Sequence, residues 1–252
     1  MFVGQRLDII RNILLEQKSV TTSALCGLLD VSDVTVRKYF DILEKEGFLI
    51  KVHGGAMLAN VQKPSTGVEN RNTQKQIASL AVTLLSENEI IYIGEGSLCT
   101  EFASQMPVEN NLSVITNNVD AVVPLSYSAA GLYLLGGQIQ KSDSNVFTIG
   151  PDVIQLLKGK YISKAFISPF GISLDAGITT NDLFILELTK QVMSIAKTVV
   201  ILAQESAFGS TGMYHIAPAD SFTAYVTNCR VADKYKNYFF NRNIKLLTSF
   251  DE

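Results

Sequence analysis

The chain has 252 residues, 47% hydrophobic and 18% charged, enough apolar material to bury a core and too much for a disordered chain. Its 21 basic and 24 acidic residues leave a formal net charge of -3, which excludes a global basic field drawing it to nucleic acid, so any such contact is local. Three cysteines without CxxC spacing and two histidines argue against a disulfide framework, a zinc site or a cofactor, and no apolar run reaches the ~18 residues of a membrane span.

Leu7, Ile10, Ile13 and Leu14 recur at helical spacing among Arg6, Asp8, Arg11 and Glu16 and predict an amphipathic first helix. Thr21 or Thr22 is placed to cap a second helix carrying Ala24, Leu25, Leu28 and Leu29. Ser32 or Asp33 caps a third, whose inner face is Val36, Phe40 and Leu43. Gly47 stops that helix, Phe48 to Val52 is β-prone, and Gly54-Gly55 turns the chain back as a wing. Three short helices followed by a hairpin read as a winged helix-turn-helix over residues 1–57, with the start of its third helix in the major groove of DNA.

The side chains offered there are Ser32, Asp33, Thr35, Arg37, Lys38 and Tyr39. Arg37 suits a bidentate contact to guanine and Lys38 a phosphate, while Lys51 and His53 on the wing reach the backbone or minor groove. Arg37-Lys38 alone is no more than a solvated charge pair; the three helices and the wing make DNA the better reading. Residues 1–56 hold seven basic side chains (Arg6, Arg11, Lys18, Arg37, Lys38, Lys45, Lys51) and seven acidic ones (Asp8, Glu16, Asp30, Asp33, Asp41, Glu44, Glu46). With that balance at zero, phosphate attraction is weak and two heads on one operator are expected, in a homodimer or homotetramer.

From residue 58 to 72 the chain is polar, with Gln62-Lys63-Pro64-Ser65-Thr66-Gly67 in the middle, and reads as a linker. In residues 73–252, Ile77, Leu80, Ala81 and Leu84 mark a helix, and Glu89 to Ile93 a buried strand ending at Gly94-Glu95-Gly96-Ser97. Strand-like runs recur at Leu112 to Thr116, Leu132 to Leu135, Ala165 to Ser168, Thr198 to Ala203 and Ala224 to Thr227, with helical stretches between most of them. That alternation predicts a mainly parallel α/β sheet covered on both faces, with ligands outside the strand carboxyl ends.

Gly94, Glu95, Gly96, Ser97 and Thr100 form the leading candidate for a phosphate cradle, hydroxyls assisting backbone donors at a helix start. The likeness to GxGxxG is superficial, since Cys99 occupies the third glycine's place. Thr116, Asn117 and Asn118 offer amides to sugar hydroxyls, or else a loop satisfying its own backbone; Gly136 and Gly137 offer backbone donors, or else a tight turn. Cys99 reads as small packing material rather than a redox sensor, and His215 as ordinary. Tyr235, Tyr238, Phe239 and Phe240 read as core or oligomer interface.

Val31-Ser32, Thr35-Val36-Arg37, Leu43-Glu44, Gly47 and His53-Gly54-Gly55-Ala56 resemble the signature of the DeoR family of bacterial transcriptional regulators. The resemblance continues through Arg71, Lys75, Thr116-Asn117-Asn118, Leu135-Gly136-Gly137, Gly150, Gly171, Gly177 and Phe208-Gly209. It implies a second domain similar to sugar-phosphate isomerases that binds a phosphorylated sugar or related metabolite and so alters DNA affinity. The chain departs from the family's usual pattern in three places. Arg37-Lys38-Tyr39-Phe40 replaces Arg-Arg-Asp-Leu, and Gly94-Glu95-Gly96-Ser97-Leu98 replaces Asp-x-Gly-Thr-Thr. Gln204-Glu205-Ser206-Ala207-Phe208-Gly209 replaces Asp-x-Ser-Lys-Phe-Gly, so a phosphate-pairing ammonium is missing at Ala207, for which Lys141 or Lys190 is the available substitute.

The expected protein is a cytoplasmic repressor of carbohydrate metabolism genes, not an enzyme, with an operator on double-stranded DNA and an effector site that includes Lys141, Gln204 and Ser206. The alternatives are a sugar-phosphate isomerase with an accessory head, or a regulator whose second domain only oligomerises.

Overall fold

The computed structural model describes the chain apart from residues 1–2, 18, 47, 53–54, 59–66, 143–144, 229–230 and 250–252, and apart from the side chains at 3–5, 15–17, 19, 50, 52, 57–58 and 67–70. Gly47, His53, Gly54, the middle of the expected linker and Cys229 lie outside the described residues. The chain divides into two compact units, Met1–Thr66 and Gly67–Glu252.

The first unit holds helices α1 (Val3–Gln17), α2 (Thr22–Leu29) and α3 (Asp33–Lys45) and strands β1 (Ser19–Thr21), β2 (Leu49–Val52) and β3 (Gly55–Leu58). The Thr21 side chain caps α2, accepting from the Ala24 N–H at 3.2 Å, and α2 ends on Asp30 in the left-handed conformation, which sets the sharp turn into α3. Ser32 is the N-cap of α3, but its hydroxyl lies 3.0 Å from Thr35 Oγ1 and makes no cap bond. Ile10, Leu14, Leu25, Val36, Phe40 and Leu43 close the core between the helices, as their spacing predicts. Antiparallel β2 and β3 form the wing, and β1 pairs with the other edge of β3. A side chain at Gly55 would stand 2.3 Å from the Val20 carbonyl oxygen, so this close approach of strands requires glycine.

In the second unit, seven parallel strands form one sheet: β4 (Ile90–Ile93), β5 (Ser113–Thr116), β6 (Gly131–Leu134), β9 (Ile162–Ile167), β12 (Ala196–Leu202), β14 (Ala224–Thr227) and β15 (Lys245–Thr248), in the order β15-β14-β12-β9-β4-β5-β6. Side chains alternate across it. Ile91, Ile93, Phe166, Val200 and Leu202 pack against α4 (Gly67–Val82), α5 (Ser97–Ser104) and α6 (Val122–Ser128). Tyr92, Ala165, Ile167, Val199 and Ile201 pack against α7 (Pro151–Leu157), α8 (Leu183–Ile195) and α9 (Asp233–Asn241). Helix α4 starts at Gly67, inside the stretch read as linker from 58 to 72, because a polar helical turn and a polar linker have the same composition.

Three pieces are added to the sheet. An antiparallel hairpin, β7 (Gln138–Lys141) and β8 (Val146–Ile149), follows β6. Strands β10 (Gly171–Ser173), β11 (Gly177–Thr180) and β13 (Tyr214–Ala217) make a small antiparallel sheet whose first strand begins just beyond the carboxyl end of β9. The chain runs outward from β4 to β5 and β6 on one side and to β9, β12, β14 and β15 on the other. The strand order therefore reverses between β4 and β9, the position at which open α/β sheets hold their ligands.

Candidate DNA-reading head and ligand pocket

Ser32, Asp33, Arg37 and Lys38 stand exposed on the front of α3, with Thr35 half-buried among them. Arg37 Nε donates to Asp33 Oδ2 at 2.8 Å, one helical turn back, in an exposed pair that water weakens and a nearby base or phosphate can replace. Lys38 makes no ion pair among the described residues. Lys51 on the wing is bound between Asp41 Oδ1 and Glu44 Oε2, both at 2.7 Å, so it fastens β2 to α3 as well as facing solvent. That hydrogen bonding raises the Lys51 pKa and lowers those of both carboxyls.

Tyr39 is a correction. Expected on the groove side of α3, it is 5% exposed, packed in the head core, and its hydroxyl accepts from Arg6 at 3.3 Å. Position 39 follows Val36 by three and precedes Leu43 by four, so it falls on the buried stripe once a ring replaces a carboxylate. Val34, which sequence reasoning passed over, is 63% exposed at the second position of α3, where an apolar group can meet a thymine methyl.

In the α/β unit the loop after β4 is fixed from behind by amides. The Gly96 N–H donates to Asn145 Oδ1 at 2.8 Å, and Asn118 Nδ2 donates to the carbonyls of Gly94 (3.2 Å) and Gly96 (3.3 Å). Asn145 Nδ2 in turn donates to Asn118 Oδ1 at 3.0 Å and Asp120 Oδ2 at 2.9 Å, and the Thr100 hydroxyl donates to the Gly96 carbonyl. Gly96 holds φ at +103°, a conformation open to glycine, and this aims its N–H at Asn145. Asn117 accepts from the Tyr92 hydroxyl at 2.8 Å and donates to the Thr148 carbonyl at 3.1 Å. Asn117 and Asn118 are both 0% exposed, and Thr116 Oγ1 donates to the Ile93 carbonyl. These three residues hold the loop instead of lining the opening, and of the alternatives read from sequence the self-satisfying loop describes them.

The opening at the β4/β9 switch is lined by Tyr92, Glu95, Ser168, Phe170, Thr180 and Thr189, with Ile167, Pro169, Ile185 and Ile216 as its apolar walls. Its volume of about 20 Å³ is room for about one water. Burial pushes the Glu95 carboxyl up to about 7; the negative charge of Asp182 adds to this, while the backbone N–H of Glu95 and the Asn117 side chain oppose it. Asp182 caps α8 through the N–H groups of Phe184 (2.8 Å) and Ile185 (3.2 Å) and accepts from Gln140 Nε2.

Of the expected effector residues, Glu95 alone lines this opening, and Gly94, Gly96, Ser97 and Thr100 surround it in the loop and first turn of α5. Gly136 and Gly137 make the connection from β6 to β7; a side chain at Gly137 would meet the Ile149 carbonyl at 2.7 Å, so packing requires that glycine. Lys141 is exposed at the end of β7, Lys190 is exposed on α8, and neither lines the opening. Gln204 and Ser206 lie in the turn after β12, also outside the lining, and Ala207 beside them is buried. Ser168, Phe170, Thr180, Asp182 and Asn145 were missed. The position of Ser168 as the last residue of a predicted strand is the one sequence signal for any of them.

Burial also raises the Cys99 thiol, in keeping with a packing role. Among the described residues no cluster of His, Cys, Asp and Glu is arranged to hold a metal, and no helix is long and apolar enough to cross a membrane.

Residues 6–62 match the DeoR-like helix-turn-helix domain and residues 69–229 the DeoR C terminal sensor domain. The chain is 28% identical to the HTH-type transcriptional regulator IolR of Bacillus subtilis (strain 168), covering 92% of this chain and 94% of that protein. It is also 28% identical to the HTH-type transcriptional repressor GlcR of the same organism (90% and 89% covered), and 30% identical to the lactose phosphotransferase system repressor of Lactococcus lactis subsp. lactis (71% and 72%). Among solved structures, ribose 5-phosphate isomerase A of Methanocaldococcus jannaschii aligns at 16% identity and a TM-score of 0.41, over 55% of each chain. With its head and its sensor domain both matched, the chain belongs to the DeoR family of transcriptional regulators.

Proposed function

We propose that the protein is a cytoplasmic repressor of carbohydrate metabolism genes that binds operator DNA as a homodimer or homotetramer. Its α/β unit receives a small metabolite of that pathway, a phosphorylated sugar or a related compound, at the β4/β9 switch. The observation that carries the reading is the front of α3, where Ser32, Val34, Arg37 and Lys38 stand together at the start of a recognition helix backed by a wing. A relative named as a lactose phosphotransferase system repressor supports the same reading. Ligand acts on DNA affinity only through its different affinity for the DNA-competent and DNA-incompetent forms.

A regulator fits the pocket better than a catalyst does. Moving a proton beside a carbonyl takes a base and an acid facing the same substrate, and Glu95 stands in the lining without a second titrating carboxyl, lysine or histidine. The test is a mobility-shift assay with DNA upstream of the protein's own operon. A sequence-specific complex is expected, weakened by Arg37→Ala by about 1–3 kcal/mol, roughly 5- to 150-fold. No specific complex at low salt, or one indifferent to Arg37→Ala, sinks the reading.

A further inference from the structure

We infer that a second copy of this chain docks on the free edge of the parallel sheet, at β6 and the apolar side chains beside it. This rests on the reading of the protein as a regulator with paired heads and names the surface that pairs them.

The first observation is a stretch without charge. Between Asp120 and Lys141 no residue is charged, in a chain that is 18% charged overall. The stretch makes α6, β6 and most of β7. A neutral run of that length suits a buried core, yet much of it meets solvent: Val123, Tyr127, Tyr133, Leu134 and Ile139 are exposed, from 43% at Leu134 to 79% at Tyr127. Val123 and Tyr127 lie one turn apart on α6, the helix that packs on β6, while Tyr133 and Leu134 belong to β6 itself and Ile139 to the strand after it. A surface rich in aromatic groups and poor in charge has the composition of an interface core, and Lys160 Nζ, 5.6 Å from the centre of the Tyr133 ring, supplies a charged rim.

The second observation is the strand edge. Among the described strands β6 pairs with β5 alone. The Gly131 N–H donates to the Leu112 carbonyl and the Leu135 N–H to the Thr116 carbonyl at 2.8 Å, both on the inner side, so the backbone groups of Leu132 and Leu134 between them point outward. Sheet edges are ordinarily guarded by charge, proline or a bulge. Gly131-Leu132-Tyr133-Leu134 has no charge and no proline, and its register with β5 runs without a shift. The opposite edge is guarded: β15 begins at exposed Lys245, and α9 beside it carries exposed Lys236 and Arg242.

The occupant follows from area and charge. The five side chains expose on the order of 500 Å², the upper range for an apolar patch on a monomer. With the strand backbone between them they supply most of the about 800 Å² that each partner gives to a stable dimer. A neutral patch does not select a partner of opposite charge, but it complements itself: turned by a two-fold axis, apolar side chains meet apolar side chains and outward N–H groups meet outward carbonyls, as an isologous dimer requires.

The experiment is analytical ultracentrifugation of the full-length protein over a range of concentrations, with hydrogen exchange read at Leu132 and Leu134. The wild type is expected to associate, and Leu134→Glu and Tyr127→Glu each to raise the dissociation constant of one assembly step by about tenfold or more. The Leu132 and Leu134 amides, protected in the wild-type assembly, are expected to exchange faster in both variants. Tyr127→Glu, on the outer face of α6, serves as the reading should Leu134→Glu not fold. A wild type that stays monomeric at every concentration overturns the inference, as does assembly, or exchange at these two amides, that neither variant changes. The wider regulator reading fails separately, by absence of the Arg37-dependent operator complex; a protein that keeps that complex and assembles indifferently to both variants loses this surface alone.

Discussion

Glu95 carries a testable consequence on its own. Its carboxyl titrates at about 7 in the folded chain against 4.5 in the unfolded one, so the folded state favours the protonated form. The stability it lends is fully present below about pH 4.5 and is lost as pH rises through about 7, a change on the order of 3 kcal/mol at most. Glu95→Gln is expected to remove that difference, which denaturant titrations of both proteins at about pH 5 and about pH 8 will show; equal pH dependence in the two counts against it. Tyr39 makes a different point. Its sequence position beside Arg37 and Lys38 suggests a groove contact, and only the packing of α1 against α3 reveals that the ring belongs inside, hydrogen-bonded to Arg6. The ring that stands where the family pattern has a carboxylate is part of the head core.

At the scale of elements, the sequence is readable wherever one environment covers a whole segment. Strands β4, β5, β9, β12 and β14 are buried on both faces and show as apolar runs, and the head helices show as stripes at helical spacing. The hairpin β7–β8 and the sheet β10-β11-β13 were not legible, because strands of three or four residues rich in Gly, Ser, Thr and Gln read as loops. Thr180 and Ile216 line the pocket from those strands, so Glu95 was found while they were not. Asn145 stayed hidden for another reason: its partners at Gly96 and Asp120 are distant in sequence, and a lone asparagine carries no period. The wing offers a clean trial of an element. Gly55→Ala places a methyl carbon 2.3 Å from the Val20 carbonyl, so β1 and β3 must separate. A loss of about 1–3 kcal/mol of head stability is expected, read by chemical denaturation. Weakened operator binding is expected with it, and an unchanged head contradicts the β1–β3 pairing.

Across the whole molecule the charge is -3, and the head itself is balanced, so DNA affinity draws on few phosphate contacts. With Lys38 as the phosphate contact at the front of α3 and the two heads per operator proposed above, about two phosphates are neutralised, giving a slope of log affinity on log salt near -2. Operator titrations between about 50 and about 200 mM salt check this. A slope near -10 means that other cations, outside the described front, do the binding. Specificity in such a complex comes from base contacts and paired heads rather than from attraction to DNA in general.

The carboxamide of Asn145 reaches from the turn of the β7–β8 hairpin to Gly96, Asn118 and Asp120. Three segments far apart in the chain thereby share one fastening, and none can drift without undoing the others. Their breathing is then a single cooperative event: the Gly96 amide and those of the hairpin become accessible to solvent together, with one opening free energy in place of three.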